Sequence, residues 1–155
     1  MASARVGKAK TACAWLSLGA NIGNPAEQIA RAVRHLDEDK KISVSKQSAM
    51  LVNPAWGKTD QPDFHNIAVE IATGLTPIKL LDACQKIENI MGRERIEKWG
   101  PRLIDIDIIA YDKIILQSER LNLPHHHAFE REFVLDPLRE ISPATAKWIL
   151  QLANS

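Results

Sequence analysis

The chain has 155 residues, close to the common size of one domain, so a single globular unit is the simplest organisation. Hydrophobic residues make up 45% of the sequence and charged residues 25%, which excludes a disordered or fibrous chain. Twenty basic and nineteen acidic residues give a net charge of +1, which disfavours a nucleic-acid-binding surface over the whole chain. No apolar run approaches the ~20 residues that span a bilayer.

The ends and the cysteines indicate where such a chain would work. The start, MASARVGKAK, has no apolar segment long enough for a signal peptide, and we predict a flexible tail over 1–10 within one domain over 1–155. Cys13 and Cys84 lack CxxC spacing and lie in apolar segments. We therefore predict buried free thiols in a reducing cytoplasm. We also expect a monomer, although no visible patch encodes the oligomeric state.

The first half of the chain predicts a strand, a helix and two further strands. Residues 11–18 (TACAWLSL) are mostly apolar and predict a largely buried strand. Asn24 caps the helix that follows. Ile42 to Val52 carries enough β-branched residues for a second strand, and Phe64 to Thr73 alternates as a third, with Ile67, Val69 and Ile71 on one side. The long loop between them, NPAWGKTDQPD, is typical of a functional or poorly ordered segment.

The second half predicts a helix, a strand and a final helix. Thr76-Pro77 opens a helix that Gly92 ends, with an apolar stripe at Leu80, Cys84, Ile87 and Met91. The polar stretch RERIEKWGPR leads into a fourth strand, LIDIDIIAY, beside which we expect a short piece at 113–116 to pair. The last helix contains Trp148, Ile149 and Leu152. The order β-α-β-β-α-β predicts an α+β domain of split βαβ type.

The aspartate pair in LIDIDII is the strongest chemical feature of the chain. Residues two apart on a strand face the same side, so Asp105 and Asp107 project together about 7 Å apart, opposite Ile104, Ile106 and Ile108. Two adjacent carboxylates repel each other unless a cation compensates, and Mg²⁺ prefers such oxygen ligands. A solvated sheet face is the alternative reading.

A cluster of cations precedes this strand. Arg93, Arg95, Lys98 and Arg102 lie within ten residues, with Trp99 among them. Guanidinium groups suit phosphate and Trp suits a base or an arginine, so cations upstream of two carboxylates indicate a polyphosphate site. A mobile basic loop paired with its own acidic residues is the alternative. No GxxxxGK[ST] motif is present, which excludes a P-loop.

Other polar and aromatic residues are weaker candidates. Consecutive residues of the run His125–His127 cannot converge on one zinc ion, so a phosphate or nucleotide contact with Arg131 nearby is favoured. Phe64 and Phe133 stand where loops meet structured segments and suit either core packing or stacking on a flat heterocycle. Asn66 offers a donor and an acceptor to the edge of such a ring.

Five segments resemble one known family. KWGPRLIDIDIIAY is similar to the RWGPRxxDLDI signature of 6-hydroxymethyl-7,8-dihydropterin pyrophosphokinase, an enzyme of folate biosynthesis. DQPDFHN resembles DQPDFLN, QKIENIMGRER resembles Q-x-I-E-x-x-x-GR-x-R, and WLSLGANIGNP resembles the LGSNLG turn. LNLPHHHAFEREFVLDPLREISP resembles LPHPxxxxRxFVLxPLxEIxP. The resemblance covers roughly Trp15 to Pro143 in the right order.

This resemblance implies a ferredoxin-like α-β-α sandwich with an antiparallel sheet. It also implies transfer of pyrophosphate from ATP to the pterin hydroxymethyl oxygen, with release of AMP. Asp105 and Asp107 would hold two Mg²⁺ ions, and Arg93 and Arg95 would act with them as catalytic residues. The ATP site would comprise Gln85, Glu88, Arg93, Trp99, Arg102, Ile108, His125 and Arg131. The pterin site would comprise Asn53, Ala55, Trp56, Phe64, Asn66 and Phe133.

Some positions depart from the family pattern. NPAWG stands where TPPxG is common, so Ala55 replaces a proline and Trp56 is a bulky substitute. His65 stands where Leu is common, and Ile96 stands where a basic residue is common.

Two other functions would use the same features. An RNA-binding module shares the βαββαβ order but would place aromatic residues in mid-strand. A metal-dependent phosphodiesterase would use the aspartate pair to hydrolyse a nucleotide without a pterin.

Overall fold

The computed structural model describes residues 11–53, 62–92, 103–126 and 128–154, and the predicted tail over 1–10 lies outside them. Its elements follow in chain order: β1 (Ala12–Ala20), α1 (Pro25–Glu38), β2 (Ile42–Gln47), β3 (Leu51–Asn53), β4 (Phe64–Thr73), α2 (Pro77–Gly92), β5 (Asp105–Tyr111), β6 (Leu116–Gln117), β7 (Asn122–Leu123), a 3₁₀ turn (Ala128–Glu130), α3 (Glu132–Ile141) and α4 (Pro143–Ala153). The Asn24 side chain accepts the Glu27 N–H at 3.2 Å, the predicted cap of α1.

The main sheet is antiparallel and has the strand order β2-β4-β1-β5, with β3 also pairing with β4. This order, with α1 and α2 as the two crossover helices, confirms the predicted ferredoxin-like α+β fold. No helix in the described ranges is both long enough and apolar enough to cross a bilayer.

The two faces of the sheet differ in what covers them. One face buries aliphatic side chains under α1 and α2, including Ile67, Val69 and Ile71 of β4 and Ile104, Ile106 and Ile108 at β5, as predicted. The opposite face packs Trp15 and Ile109 against α3 and α4. Beyond that second core, the same face carries polar residues and a glycine, and this polar end holds the candidate site.

The predicted second strand is two strands. The prediction of one strand from Ile42 to Val52 is wrong because Ser48 ends the main-chain ladder: its hydroxyl accepts the Ala68 N–H at 2.9 Å. Glu140 of α3 then accepts the Ala49 N–H at 2.9 Å. These side chains replace ladder hydrogen bonds and let β3 start again on the same neighbour.

One further element differs from expectation, and another was not predicted. The piece at 113–116 does not pair with β5: Asp112 adopts φ 46°, which turns the chain away, and Leu116 pairs with Leu123 instead. The segment VLDPLREISP lies mostly in α3, although Pro137 removes one helical main-chain donor. Burial of Val134, Leu135, Leu138 and Ile141 compensates for that loss.

Candidate active site

Three neighbouring strands place their polar residues in two cross-strand rows at the open end of the sheet. Gly19 of β1 pairs with Asn66 on one side and with Asp105 on the other. Ser17 pairs with Asp107 in the next row. Neighbouring strands lie about 4.8 Å apart, so Asn66 and Asp105 stand roughly 10 Å apart on one face with only a glycine between them.

A cavity of ≈ 790 Å³ lies over these rows. Residues that the sequence predicted for the site line it: Asn53, Phe64, Asn66, Asp105, Asp107, Arg131 and Phe133. Sequence reasoning missed the other lining residues, which are Ser17, Gly19, Leu51, Glu130, Glu132, Val134 and Asp136. Strand alternation could have identified Ser17 and Gly19. They are two residues apart on β1, so both project from the same face of a strand that is otherwise apolar.

The amide of Asn66 is held in place at the floor of this large cavity. Its Nδ2 donates to the Asn53 side-chain oxygen at 3.2 Å, and the residue is only 4% exposed. A Cβ added at Gly19 would lie 2.6 Å from the Asn66 Oδ1, closer than real contacts allow. The glycine is therefore needed for the close approach of the amide, which fixes its orientation toward the cavity.

Aromatic walls come from two different elements. Phe64 begins β4 and Phe133 lies in the first turn of α3, and both rings are partly exposed in the large cavity. The Arg131 guanidinium lies 5.7 Å from the centroid of the Phe133 ring. Two aromatic side chains with a buried amide below them suit a flat heterocycle whose ring edge carries donors and acceptors.

The aspartate pair is exposed, as a metal or substrate ligand must be. Asp105 and Asp107 face the cavity, and Ile106 between them is buried in the opposite core. Within the described residues, no group of three or more His, Cys, Asp or Glu side chains could hold a metal ion. Two exposed carboxylates on one face of a strand fit Mg²⁺, which takes its remaining ligands from water and phosphate.

A second, smaller cavity of ≈ 180 Å³ lies beside β5 and β7. Its lining includes Ile108 and His125, two predicted ATP-site residues, together with Arg120, Asn122 and His126. Asp107 borders both cavities. The two spaces therefore approach each other at one carboxylate of the predicted metal site.

Two predicted ATP-site residues on α2 have other neighbours in the structure. Gln85 is exposed, and its Oε1 accepts from Arg120 at 3.3 Å; Arg120 also pairs with Asp82 at 2.7 Å. The half-buried Glu88 accepts the Ile106 N–H at 2.8 Å. Neither Gln85 nor Glu88 is among the described residues that line the two cavities.

The thiols are not part of the reactive surface. Burial, reinforced by the Glu88 and Asp107 carboxylates, raises the pKa of Cys84 to about 12. Burial also raises the pKa of Cys13 to about 11, although this residue is only half-buried rather than buried as predicted. Both cysteines are free, and neither is a thiolate near neutral pH.

Several predicted site residues lie outside the described residues. These are Ala55, Trp56, Arg93, Arg95, Trp99 and Arg102. The described part of the site therefore consists of the sheet floor, the aromatic walls and the β5–β7 side.

These features define a class of protein before any comparison. The RNA-binding alternative requires aromatic side chains in mid-strand on an open sheet face. Here α3 and α4 cover much of that face, and its polar end presents Gly19, Ser17 and the two aspartates. The fold and the site together are those of an α+β enzyme for small molecules.

Comparisons with known proteins identify the family. The sequence profile described as 7,8-dihydro-6-hydroxymethylpterin-pyrophosphokinase (HPPK) matches residues 15–143. A 2-amino-4-hydroxy-6-hydroxymethyldihydropteridine pyrophosphokinase of Methylorubrum extorquens is 51% identical over 130 residues, which are 84% of this chain and 82% of the relative. A protein of the same description from Haemophilus influenzae is 40% identical over 83% of this chain and 81% of its own length. The chain belongs to the HPPK family.

A solved structure shows the same fold in a longer protein. The wild-type Plasmodium falciparum HPPK-DHPS with pteroate superposes with a TM-score of 0.65 at 17% identity, covering 84% of this chain. This chain spans 38% of the length of that bifunctional protein. At this identity the likeness supports the fold alone.

Proposed function

We propose that this chain transfers the pyrophosphoryl group of ATP to the hydroxymethyl group of 6-hydroxymethyl-7,8-dihydropterin, releasing AMP, as a step of folate biosynthesis. Membership of the HPPK family supports the reaction. The single observation that carries the assignment of the site is that Asp107 borders both cavities. One substrate in each cavity would bring acceptor and donor together at the aspartate pair.

The large cavity is the proposed pterin site. Phe64 and Phe133 would stack on the ring, and the fixed Asn66 amide would read its edge, as the family resemblance implied. Asn53 supports that amide, and main-chain groups of the loop with Ala55 and Trp56 are proposed to complete the contact. With the ring edge at Asn66, the hydroxymethyl group could extend over Gly19 toward Asp105.

The smaller cavity is the proposed nucleotide site. Ile108 and His125 line it, and Arg120 adds a cation that sequence reasoning had not singled out. Gln85 is proposed beside it, and Arg131, which lines the large cavity, is proposed to contact ATP from there. Arg93, Arg95, Trp99 and Arg102, from the segment before β5, are proposed to contact ATP, with Arg93 and Arg95 acting on the transition-state charge.

Asp105 and Asp107 are the residues that would hold two Mg²⁺ ions. When bound there, the ions would neutralise phosphate charge and favour ionisation of the acceptor hydroxyl. The protein's own contribution is positioning: the rigid sheet fixes the carboxylates, and the aromatic walls fix the acceptor. Enclosing both substrates would also keep water from competing as the acceptor.

Three broader proposals go with this activity. The chain acts as a single pyrophosphokinase domain over 1–155, and it acts as a monomer. It works in the cytoplasm, where reducing conditions keep free thiols such as Cys13 and Cys84 unpaired.

Product analysis tests the reaction. The chain is incubated with ATP, Mg²⁺ and the hydroxymethyl pterin, and nucleotides are separated by chromatography. We expect AMP and a pterin pyrophosphate from the parent and neither from Asp107→Ala. Formation of ADP, or hydrolysis of ATP at the same rate without pterin, would favour an ordinary kinase or the phosphodiesterase alternative and reject the proposal.

A further inference from the structure

The main-chain N–H of Ile106 donates to a carboxylate from another element. Ile106 lies between the two aspartates of β5, and its N–H meets the Glu88 Oε2 of α2 at 2.8 Å. The inner side of β5 pairs with β1, while its outer side has no strand partner in the main sheet. Glu88 therefore supplies from a side chain the hydrogen bond that a neighbouring strand would otherwise supply.

The outer side of β5 has one more described anchor, at its far end. The His125 N–H donates to the Ile109 carbonyl at 2.8 Å. Between this contact and Glu88 lies the stretch that carries Asp107. An edge strand held at only one point opens more readily than one held at two. Glu88 thus restrains the end of the strand where both aspartates project.

The charges of the aspartate pair give such a restraint a purpose. Asp105 and Asp107 are like charges on one face of one strand, and repulsion between them opposes their present spacing. A charge-assisted hydrogen bond to the intervening N–H opposes such a shift more strongly than a neutral bond. Glu88 is half-buried and points at the main chain of β5, and it does not line either cavity in the described part of the chain.

We propose that Glu88 is a positioning residue for the aspartate pair: through the Ile106 N–H it fixes the main chain that sets the spacing and direction of Asp105 and Asp107. This inference rests on the proposed function of the pair. It gives Glu88 a different role from the ATP contact that the family resemblance implied, because its Oε2 binds the protein's own strand.

Two substitutions separate the hydrogen bond from the charge. Glu88→Gln keeps an oxygen acceptor of the same reach, whereas Glu88→Leu removes it at similar volume. We expect the Ile106 amide, followed by NMR in the substrate-free protein, to exchange its hydrogen about ten- to a hundred-fold faster in Glu88→Leu. Glu88→Gln should stay within about three-fold of the parent, since a neutral hydrogen bond remains.

Steady-state kinetics should separate the two Glu88 variants in the same way. Glu88→Leu should lower kcat about ten- to a hundred-fold with the KM for ATP changed less than about three-fold, and Glu88→Gln should restore most of kcat. Glu140→Leu is a matched control, because Glu140 also accepts a main-chain N–H, from Ala49 between β2 and β3 at 2.9 Å, far along the chain from β5. It should lower the Tm comparably and leave Ile106 exchange unchanged.

Several results would overturn the proposal. Unchanged Ile106 exchange in Glu88→Leu would show that the contact does not restrain the strand. A raised KM for ATP at unchanged kcat would make Glu88 a nucleotide ligand, and equal kcat losses in both Glu88 variants would assign the effect to charge. If the parent itself releases no AMP, the proposed function fails, while the exchange measurement still reports on the restraint.

Discussion

Replacing Gly19 by alanine tests how the sheet floor positions the pterin. Gly19 separates Asn66 from Asp105 in one cross-strand row, and its missing side chain leaves space for the buried amide. An added Cβ would lie 2.6 Å from the Asn66 Oδ1, whereas ordinary van der Waals contact begins at 3.4 Å. To restore ordinary contact, the amide oxygen and the new methyl group must separate by about 0.8 Å more.

That displacement is large for a binding group. Asn66 is tied to Asn53 by a 3.2 Å hydrogen bond and is nearly fully buried, so the amide cannot yield without weakening this bond or shifting β4. A misplacement near 1 Å in a positioning group costs about 100-fold in rate. We therefore expect Gly19→Ala to lower kcat/KM for the pterin by roughly 100-fold.

Steady-state AMP release at varied pterin and saturating ATP measures the effect. The affinity for an ATP analogue, measured by calorimetry without pterin, should change by less than about three-fold, because the new methyl group lies on the pterin side. Gly74→Ala is the matched control, since a Cβ there meets nothing within 4 Å. If Gly19→Ala keeps kcat/KM for pterin within two-fold of Gly74→Ala, the role assigned to the Asn66 amide is refuted.

Three further predictions follow from the site and the core. Asp107→Asn should lower kcat at least about 100-fold by product analysis, since one preorganised charge is lost; a near-normal kcat would remove Asp107 from the reaction. Phe133→Ala should weaken pterin binding roughly ten-fold in a fluorescence titration, and an unchanged Kd would show that the ring is not stacked. Because burial raises the pKa of Cys84 from 9.0 to about 12 and that of Cys13 to about 11, unfolded thiols ionise first. The urea midpoint of unfolding should therefore be insensitive to these thiols below pH 9 and should fall as the pH rises from about 9 toward 12. Ellman's reagent should leave the buried Cys84 unmodified in the native chain at pH 8, and rapid modification would contradict its burial.

The hydrophobic periodicity of the sequence was sufficient to predict the larger elements of the fold. Alternating residues in β4 and the apolar stripe of α2 predict those elements with bounds close to those observed. The break at Ser48 could not be read locally, because it depends on hydrogen bonds to Ala68 and from Ala49 to Glu140, which are distant in sequence. Helix α3 was hidden by Pro137, whose local cost is offset only by tertiary burial.

Part of the site could likewise be predicted from local sequence, and part depends on contacts between residues that are distant in the chain. The spacing of Asp105 and Asp107 placed both on one face directly, because strand geometry is local. The role of Gly19 depends on contact with Asn66, about fifty residues away in the chain, and the Glu88 bond depends on how α2 packs on β5. The sequence identifies the side chains that can carry chemistry. Which main-chain groups those side chains bind depends on how the elements pack.

The central claim is that both substrates meet at the aspartate pair. Mn²⁺ in place of Mg²⁺ allows a direct measurement: in a complex with a non-hydrolysable ATP analogue and the pterin, paramagnetic relaxation is recorded at the analogue phosphorus atoms and at the pterin methylene protons. In Asp107→Asn we predict loss of the relaxation at the methylene protons, whereas the phosphates, which are themselves ligands of the ion, stay relaxed. In the parent we predict strong relaxation at both groups. Relaxation of the phosphates with unaffected methylene protons would contradict a shared site.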